Sequence, residues 1–219
     1  MNSIIFDIDG TLIDSVDLHA KAWQDAFEHF GVKLGFAEIR SQIGKGADEL
    51  VPTFLSKKDE RAFGEELQQW RSQHFKSTYM ESVKPFHKSH ELLQRINEKG
   101  KLLAAGSSAK KEELDYYLDL LKAKDLFDVT TSADDVNKSK PNPDIFEAAL
   151  SKLQHSASET VVVGDSPYDA QAATRIGIPC VGVLCGGFAK QSLVDAGATA
   201  IYKGPEDLMD KLESSPLFK

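Results

Sequence analysis

Beyond Lys84-Pro85-Phe86 the sequence alternates short apolar runs with helix-period segments, and no other feature constrains the fold as tightly. Helix Glu91 to Glu98 leads through Gly100 to a strand at Leu102-Leu103-Ala104-Ala105. Helix Lys111 to Leu121 leads to a short strand near Phe127 to Thr130. Asn142-Pro143 reads as an N-cap followed by a proline in the first helical position, opening a helix whose apolar face is Phe146, Ala149 or Leu150, and Leu153. Thr160-Val161-Val162-Val163 is the next strand; Ser166-Pro167 repeats the cap-plus-proline device, and Gly177 ends that helix. Strands at Cys180 to Leu184 and Ala200 to Tyr202 and a helix from Glu206 to Leu212 complete the series. Strands joined through helices run parallel, so the predicted fold is α/β: a doubly wound parallel sheet with a Rossmann-like core.

The N-terminal part departs from this rhythm. Ser3-Ile4-Ile5-Phe6 is one apolar strand. Val16, Ala20, Trp23, Phe27 and Phe30 then recur at three and four residues, the spacing of an amphipathic helix that Gly31 can stop. From about residue 36 to 80 the pattern stays helical, with no convincing strand. The expected organisation is therefore an α/β core from residues 1–14 and 86–219, with residues 15–85 inserted as a helical cap.

A chain of 219 residues can bury a sizeable core without disulfides. Its 26 basic and 34 acidic residues give a net charge of −8, which disfavours general nucleic-acid binding and an anionic membrane surface. A small anionic substrate remains compatible, because its recognition is local. No apolar run reaches the length of a membrane span. Asp7 and Asp9 fall where the apolar stretch of a secretory signal would lie, and the two cysteines, Cys180 and Cys185, form no CxxC pair. A cytoplasmic location and a monomer are the expectations.

Ligands of such sheets bind at the carboxyl ends of the strands. The first strand ends in Asp7-Ile8-Asp9-Gly10-Thr11 and the second in Gly106-Ser107-Ser108. The third is followed by Ser139-Lys140-Pro141 and the fourth by Gly164-Asp165-Ser166-Pro167-Tyr168-Asp169. These loops bring four carboxylates, a hydroxyl and an ammonium to one edge. Crowded carboxylates call for a cation, and hard oxygen ligands beside a phosphate select Mg²⁺. No Cys/His constellation points to zinc.

The ordered set DxDGT, Ser, Lys-Pro and GDSxxD resembles the haloacid-dehalogenase-like superfamily over nearly the whole chain, with the helical insert placed as in members that carry a helical cap. DxDGT alone would match about once in 10⁵ positions. The resemblance implies that Asp7 is a nucleophile forming an aspartyl phosphate, and that Asp9 protonates the leaving oxygen and then activates water. The acid step asks Asp9 to start protonated, a state that neighbouring carboxylates would favour. It further implies Mg²⁺ held by Asp7, the Asp9 backbone carbonyl and Asp165, with Asp169 supporting through a water or capping its own helix. Ser107 would hydrogen-bond the phosphate, aided by the Ser108 N–H at a helix start, and Lys140 would neutralise the phosphoryl group.

In the insert, Lys45 and Gly46 form a loop able to approach substrate, although Lys45 equally suits an exposed turn. His19 lies where it reaches substrate or Asp9, or packs on Trp23. The run Leu18 to Trp23 resembles the β-phosphoglucomutase-like branch, but the positions after Gly46 are Ala47, Asp48 and Glu49, which would repel a bisphosphate. The expectation is a Mg²⁺-dependent phosphatase for a small phosphorylated metabolite of the phosphoglycolate or sugar phosphate type. The alternatives are a sugar phosphomutase and a catalytically idle phosphate-binding or interaction module.

Overall fold

The computed structural model describes residues 1–218. The chain opens with β1 (Ser3–Phe6) and a short β2 (Ile13–Asp14), then runs through four helices: α1 (Val16–His29), α2 (Phe36–Arg40), α3 (Ala47–Phe54) and α4 (Lys57–Thr78). It returns through β3 (Lys84–Pro85). There follow α5 (Ser89–Glu98), β4 (Leu102–Gly106), α6 (Lys111–Leu120), β5 (Val129–Thr131) and α7 (Asp144–Leu153). The last part holds β6 (Thr160–Gly164), α8 (Pro167–Arg175), β7 (Cys180–Val183), α9 (Lys190–Asp195), β8 (Ala198–Tyr202) and α10 (Pro205–Asp210).

The main sheet has the order β5-β4-β1-β6-β7-β8, with every neighbouring pair parallel. The chain works outward from β1 to β4 and β5, crosses back to β6, and continues to β7 and β8. The switch point therefore lies at β1, between β4 and β6, where an open α/β sheet leaves a crevice. The period-two alternation of a strand sorts its side chains. Ile4 and Phe6 join a core with Leu92, Leu103, Tyr117, Val161 and Leu208, while Ile5 on the other face packs with Ala104, Phe146, Ala149, Val162 and Ala173. Both faces are covered, as a parallel sheet requires.

The helical insert has a core of its own, built from Trp23 and Phe27 of α1, Ile39 of α2, Leu50 and Val51 of α3 and Leu67 of α4. Its two connections to the sheet are pinned together: β2 pairs antiparallel with β3, with Ile13 opposite Pro85 and Asp14 opposite Lys84. The result is an α/β core with an inserted helical cap. Among the described residues, no helix is long and apolar enough to cross a membrane.

Some boundaries differ from the sequence reading. α7 starts at Asp144 with Pro143 as its N-cap. Asn142 is not the cap, because its side-chain amide is drawn to Glu49 Oε1 at 2.8 Å and to the Ser139 carbonyl at 3.1 Å. α6 starts at Lys111, so Ser108 stands upstream of the helix and its N–H does not belong to a helix N-terminus.

Candidate active site

Immediately after β1, the Asp7 N–H donates to the Val163 carbonyl at 2.8 Å, which fixes Asp7 at the mouth of the crevice. The backbone then coils tightly, the Ile8 carbonyl accepting from the N–H groups of Thr11, Leu12 and Ile13. Gly10 takes a φ of +79°, and a Cβ there would lie 2.4 Å from Asp165 Oδ2. The turn therefore needs glycine both for its dihedral and for the close approach of Asp165.

Asp7, Asp165 and Asp169 are all buried, and each offers an oxygen within 4.8 Å of the others. Lys140 is completely buried beside them. Its Nζ donates to Asp7 Oδ1 at 2.5 Å, Asp169 Oδ1 at 2.8 Å and the Gly106 carbonyl at 3.4 Å, which uses all three ammonium donors. Asp169 also closes a capping box at the start of α8, its Oδ2 accepting from Ser166 Oγ at 2.6 Å and Ser166 N at 3.1 Å. The capping reading of Asp169 therefore holds, with one oxygen on the cap and the other on Lys140.

Burial pushes Asp7 up to about 7 against the pull of Lys140, with Asp169 and Asp9 adding like charge. Burial, together with Asp7 and Asp169, likewise raises Asp165. Burial would lower Lys140, but Asp169 and Asp7 outweigh it and raise its pKa. The sign of the linkage is set by Asp7. Between its unfolded value near 3.8 and about 7, the folded chain holds a proton that the unfolded chain has released. Stability of the metal-free protein is therefore expected to fall as pH rises through this window, and saturating Mg²⁺ should oppose the fall. Urea unfolding in chelator at about pH 5 and about pH 8 checks this; a higher midpoint at the upper pH would contradict it.

Asp9 points away from this cluster. Its Oδ1 accepts from Ser15 Oγ at 2.5 Å and faces His19 Nε2 at 2.8 Å. Burial would raise Asp9, but His19 and then Ser15 outweigh it and hold the carboxyl below its usual range. The expectation that neighbouring carboxylates keep Asp9 protonated does not hold for this arrangement. His19 stacks on Phe75 at 4.2 Å, and its Nδ1 meets Arg71 Nη2. A guanidinium only donates, so Nδ1 must accept and the neutral ring carries its proton on Nε2, facing Asp9. Tyr117 Oη lies 3.1 Å from the same Nε2, and Glu113 Oε1 lies 3.7 Å from it.

Ser107 is fully buried, its Oγ accepting from the Ala109 N–H at 3.0 Å. Ser108 Oγ donates across to the Gly44 carbonyl at 3.2 Å. Lys45 Nζ donates to Gln42 Oε1 at 2.6 Å and Thr53 Oγ1 at 3.3 Å, and it sits 5.0 Å from the centroid of the Tyr168 ring. Burial lowers its pKa. A cavity of about 450 Å³ opens between cap and sheet edge and reaches Asp7, Asp9, His19, Lys45, Gly46 and Ser108.

The sequence profile described as "Haloacid dehalogenase-like hydrolase" matches residues 4–183, which takes in both aspartates after β1, the helical insert and the loop after β6. The chain belongs to this family. It is a hydrolase with a helical cap. A phosphorylated carbohydrates phosphatase from Thermotoga maritima is 28% identical over 97% of this chain and 99% of its own. A validoxylamine A 7'-phosphate phosphatase from Streptomyces hygroscopicus is 30% identical over 82% of this chain and 84% of its own. The crystal structure of a hydrolase from Pseudomonas syringae superposes with a TM-score of 0.90 at 28% identity, covering 98% of this chain and 99% of that one.

The donor set of this hydrolase suits Mg²⁺. Asp7, Asp165 and Asp169 supply only hard oxygens, and two of them are raised by burial and mutual repulsion, so a divalent cation would relieve a real excess of negative charge. A second group, Asp9, His19 and Glu113, is equally close together. There, however, His19 is committed to Asp9 and Arg71, which explains the cluster without a metal.

The sequence reading missed Arg71, Glu113 and Tyr117. Arg71 sits between Trp23 and Phe75, about 5 Å from each ring. On a helix that reads as amphipathic, an arginine beside Trp70 looks like a solvated side chain. Glu113, in the first turn of α6, looks like an acid complementing the helix dipole. Arg71 turns inward where α4 packs on α1 and meets Trp23 and His19, and Glu113 turns inward toward the same histidine.

Proposed function

We propose that this hydrolase is a Mg²⁺-dependent phosphatase that cleaves small phosphate esters through a phospho-aspartate on Asp7. The observation that carries the reading is the buried pair of Asp7 and Lys140 beside Asp165 and Asp169, with Asp7 reaching a cavity that Asp9 also lines. Asp7 attacks phosphorus, the bond to the leaving oxygen breaks, and Asp9 delivers the proton to that oxygen. In the second half Asp9 takes a proton from water as the water attacks the aspartyl phosphate, which frees Asp7 and phosphate. An anionic phosphoryl group beside Asp9 adds like charge and pushes its carboxyl toward the protonated form the first half needs. Lys140 neutralises charge on the phosphoryl oxygens, Ser107 hydrogen-bonds them, and Ser108 lines the cavity. Bound Mg²⁺ supplies further charge neutralisation and orientation.

In this reading residues 15–85 form the lid, residues 1–14 and 86–219 form the catalytic core, and Lys45, Gly46 and His19 face the substrate side. Sugar phosphates and phosphoglycolate are the substrate class. The name of the Thermotoga relative, a phosphorylated carbohydrates phosphatase, supports that choice, and the Streptomyces relative is also named as a phosphatase of a small phosphate ester.

The test is phosphate release from a panel of small esters, including phosphoglycolate and hexose 1- and 6-phosphates, with Mg²⁺ and with chelator. Release from at least one ester is expected, falling at least ~10³-fold in chelator. Undiminished release in chelator would overturn the Mg²⁺ requirement. Conversion of hexose 1-phosphate to its isomer without free phosphate would replace hydrolysis by phosphoryl transfer.

A further inference from the structure

Asp48 and Glu49 lie in the first turn of α3, where acids ordinarily serve their own helix. Both instead reach across to the core. Asp48 Oδ2 accepts the Ser139 backbone N–H at 2.9 Å, and Glu49 Oε1 accepts from Asn142 Nδ2 at 2.8 Å. These two contacts bracket Lys140 on both sides of its loop.

The loop closes on itself as well. The Ser139 carbonyl accepts from the Asn142 N–H at 3.0 Å and from its side-chain amide at 3.1 Å. The approach of the cap is close enough that a Cβ on Gly46 would lie 2.0 Å from Ser139 Oγ. The loop that carries Lys140 belongs to neither β5 nor α7. Its backbone is thus tied to the cap, while the lysine Nζ is tied to Asp7 and Asp169.

We propose that Asp48 and Glu49 are positioning residues: through Ser139 and Asn142 they hold the turn that sets the Lys140 ammonium against Asp7, so that the seated cap completes the phosphoryl site. This rests on the reading of Lys140 as the cation that faces the transferring phosphoryl group. It also gives the acidic residues after Gly46 a structural partner instead of a role in repelling a second phosphate. Because they act through Lys140, their contribution is independent of the leaving group.

The test measures kcat and KM with Mg²⁺ for Asp48→Ala, Asp48→Asn, Glu49→Ala, Glu49→Gln and Lys140→Met. The substrates are 4-nitrophenyl phosphate and acetyl phosphate, whose leaving groups share nothing but the bond to phosphorus. Displacing the ammonium by about an ångström is expected to lower kcat ~10- to 100-fold in Asp48→Ala, by the same factor on both substrates. Asp48→Asn retains an oxygen that accepts the same N–H, so it should stay within ~3-fold of the parent protein. Glu49→Ala and Glu49→Gln should split in the same way, and this second pair decides the matter if circular dichroism shows Asp48→Ala unfolded.

A loss confined to one substrate, or to KM, would overturn the proposal in favour of direct substrate contact. Asn and Gln variants as impaired as the alanines would overturn it too, since charge and not the hydrogen bond would then matter. If Lys140→Met keeps kcat within ~3-fold of the parent, the underlying reading of Lys140 fails instead, whatever the Asp48 series shows.

Discussion

Asp7→Asn is expected to lower kcat for phosphate release by at least ~10⁴-fold while leaving the fold intact. The amide has nearly the shape of the carboxylate but carries no charge and is not a nucleophile toward phosphorus. It keeps an oxygen that can accept from Lys140 Nζ, whose other contacts are Asp169 Oδ1 at 2.8 Å and the Gly106 carbonyl at 3.4 Å. The structural cost is therefore small, and above neutral pH it has the opposite sign. Burial raises Asp7 to about 7, so ionising it in the folded protein costs free energy that asparagine does not incur. In chelator at about pH 8, Asp7→Asn should unfold at the same or a higher urea concentration than the parent protein. Malachite-green phosphate release and urea titration together check both halves. Retention of more than about 1% of the parent rate would rule out Asp7 as nucleophile, even if Mg²⁺ dependence were preserved.

The same residues show which parts of this molecule could be read without coordinates. Polar groups that interrupt an apolar run at a strand end stand out, because the strand itself is uniformly buried. That is why Asp7, Asp9, Ser107 and Asp165 were visible, and why the switch point between β4 and β6 gathers them. The capping role of Asp169 was legible from its spacing to Ser166, while its contact with Lys140 was not. The state of Asp9 was not. The carboxylate beside it along the chain is Asp7. The sequence offered His19 a contact with Asp9, but it did not show that this histidine, held by Arg71 from α4, would outweigh burial and keep Asp9 ionised. Asn142 failed for a related reason. It carries a strong local signal for a helix start, and a tertiary partner, Glu49, took its side chain instead. Local capping contributes about 1 kcal/mol, which is within reach of a buried hydrogen bond to a neighbouring loop.

Lys140→Met should produce two losses that metal separates. The ammonium is fully buried and bridges Asp7 and Asp169, so its removal leaves two carboxylates facing each other without their cation. Breaking a buried ion pair from one side costs about 3–5 kcal/mol, and in chelator near pH 8 the urea midpoint is expected to fall by that amount divided by the m-value. The cost should shrink near pH 5, because Asp7, raised to about 7 in the parent, takes up a proton still more readily without Lys140. Adding Mg²⁺ should recover much of the stability, since a cation bound by Asp7, Asp165 and Asp169 supplies the missing positive charge. It should not recover activity. The carboxylates would be neutralised, but the phosphoryl oxygens would still lack the ammonium, and kcat should stay down by about 10³-fold. Folded, Mg²⁺-stabilised and inactive is thus the expected state of this variant. A Lys140→Met protein as stable as the parent in chelator at pH 8 would mean that Asp7 and Asp169 do not need the lysine. One that regains full activity with Mg²⁺ would make Lys140 a structural counter-ion and remove it from the chemistry.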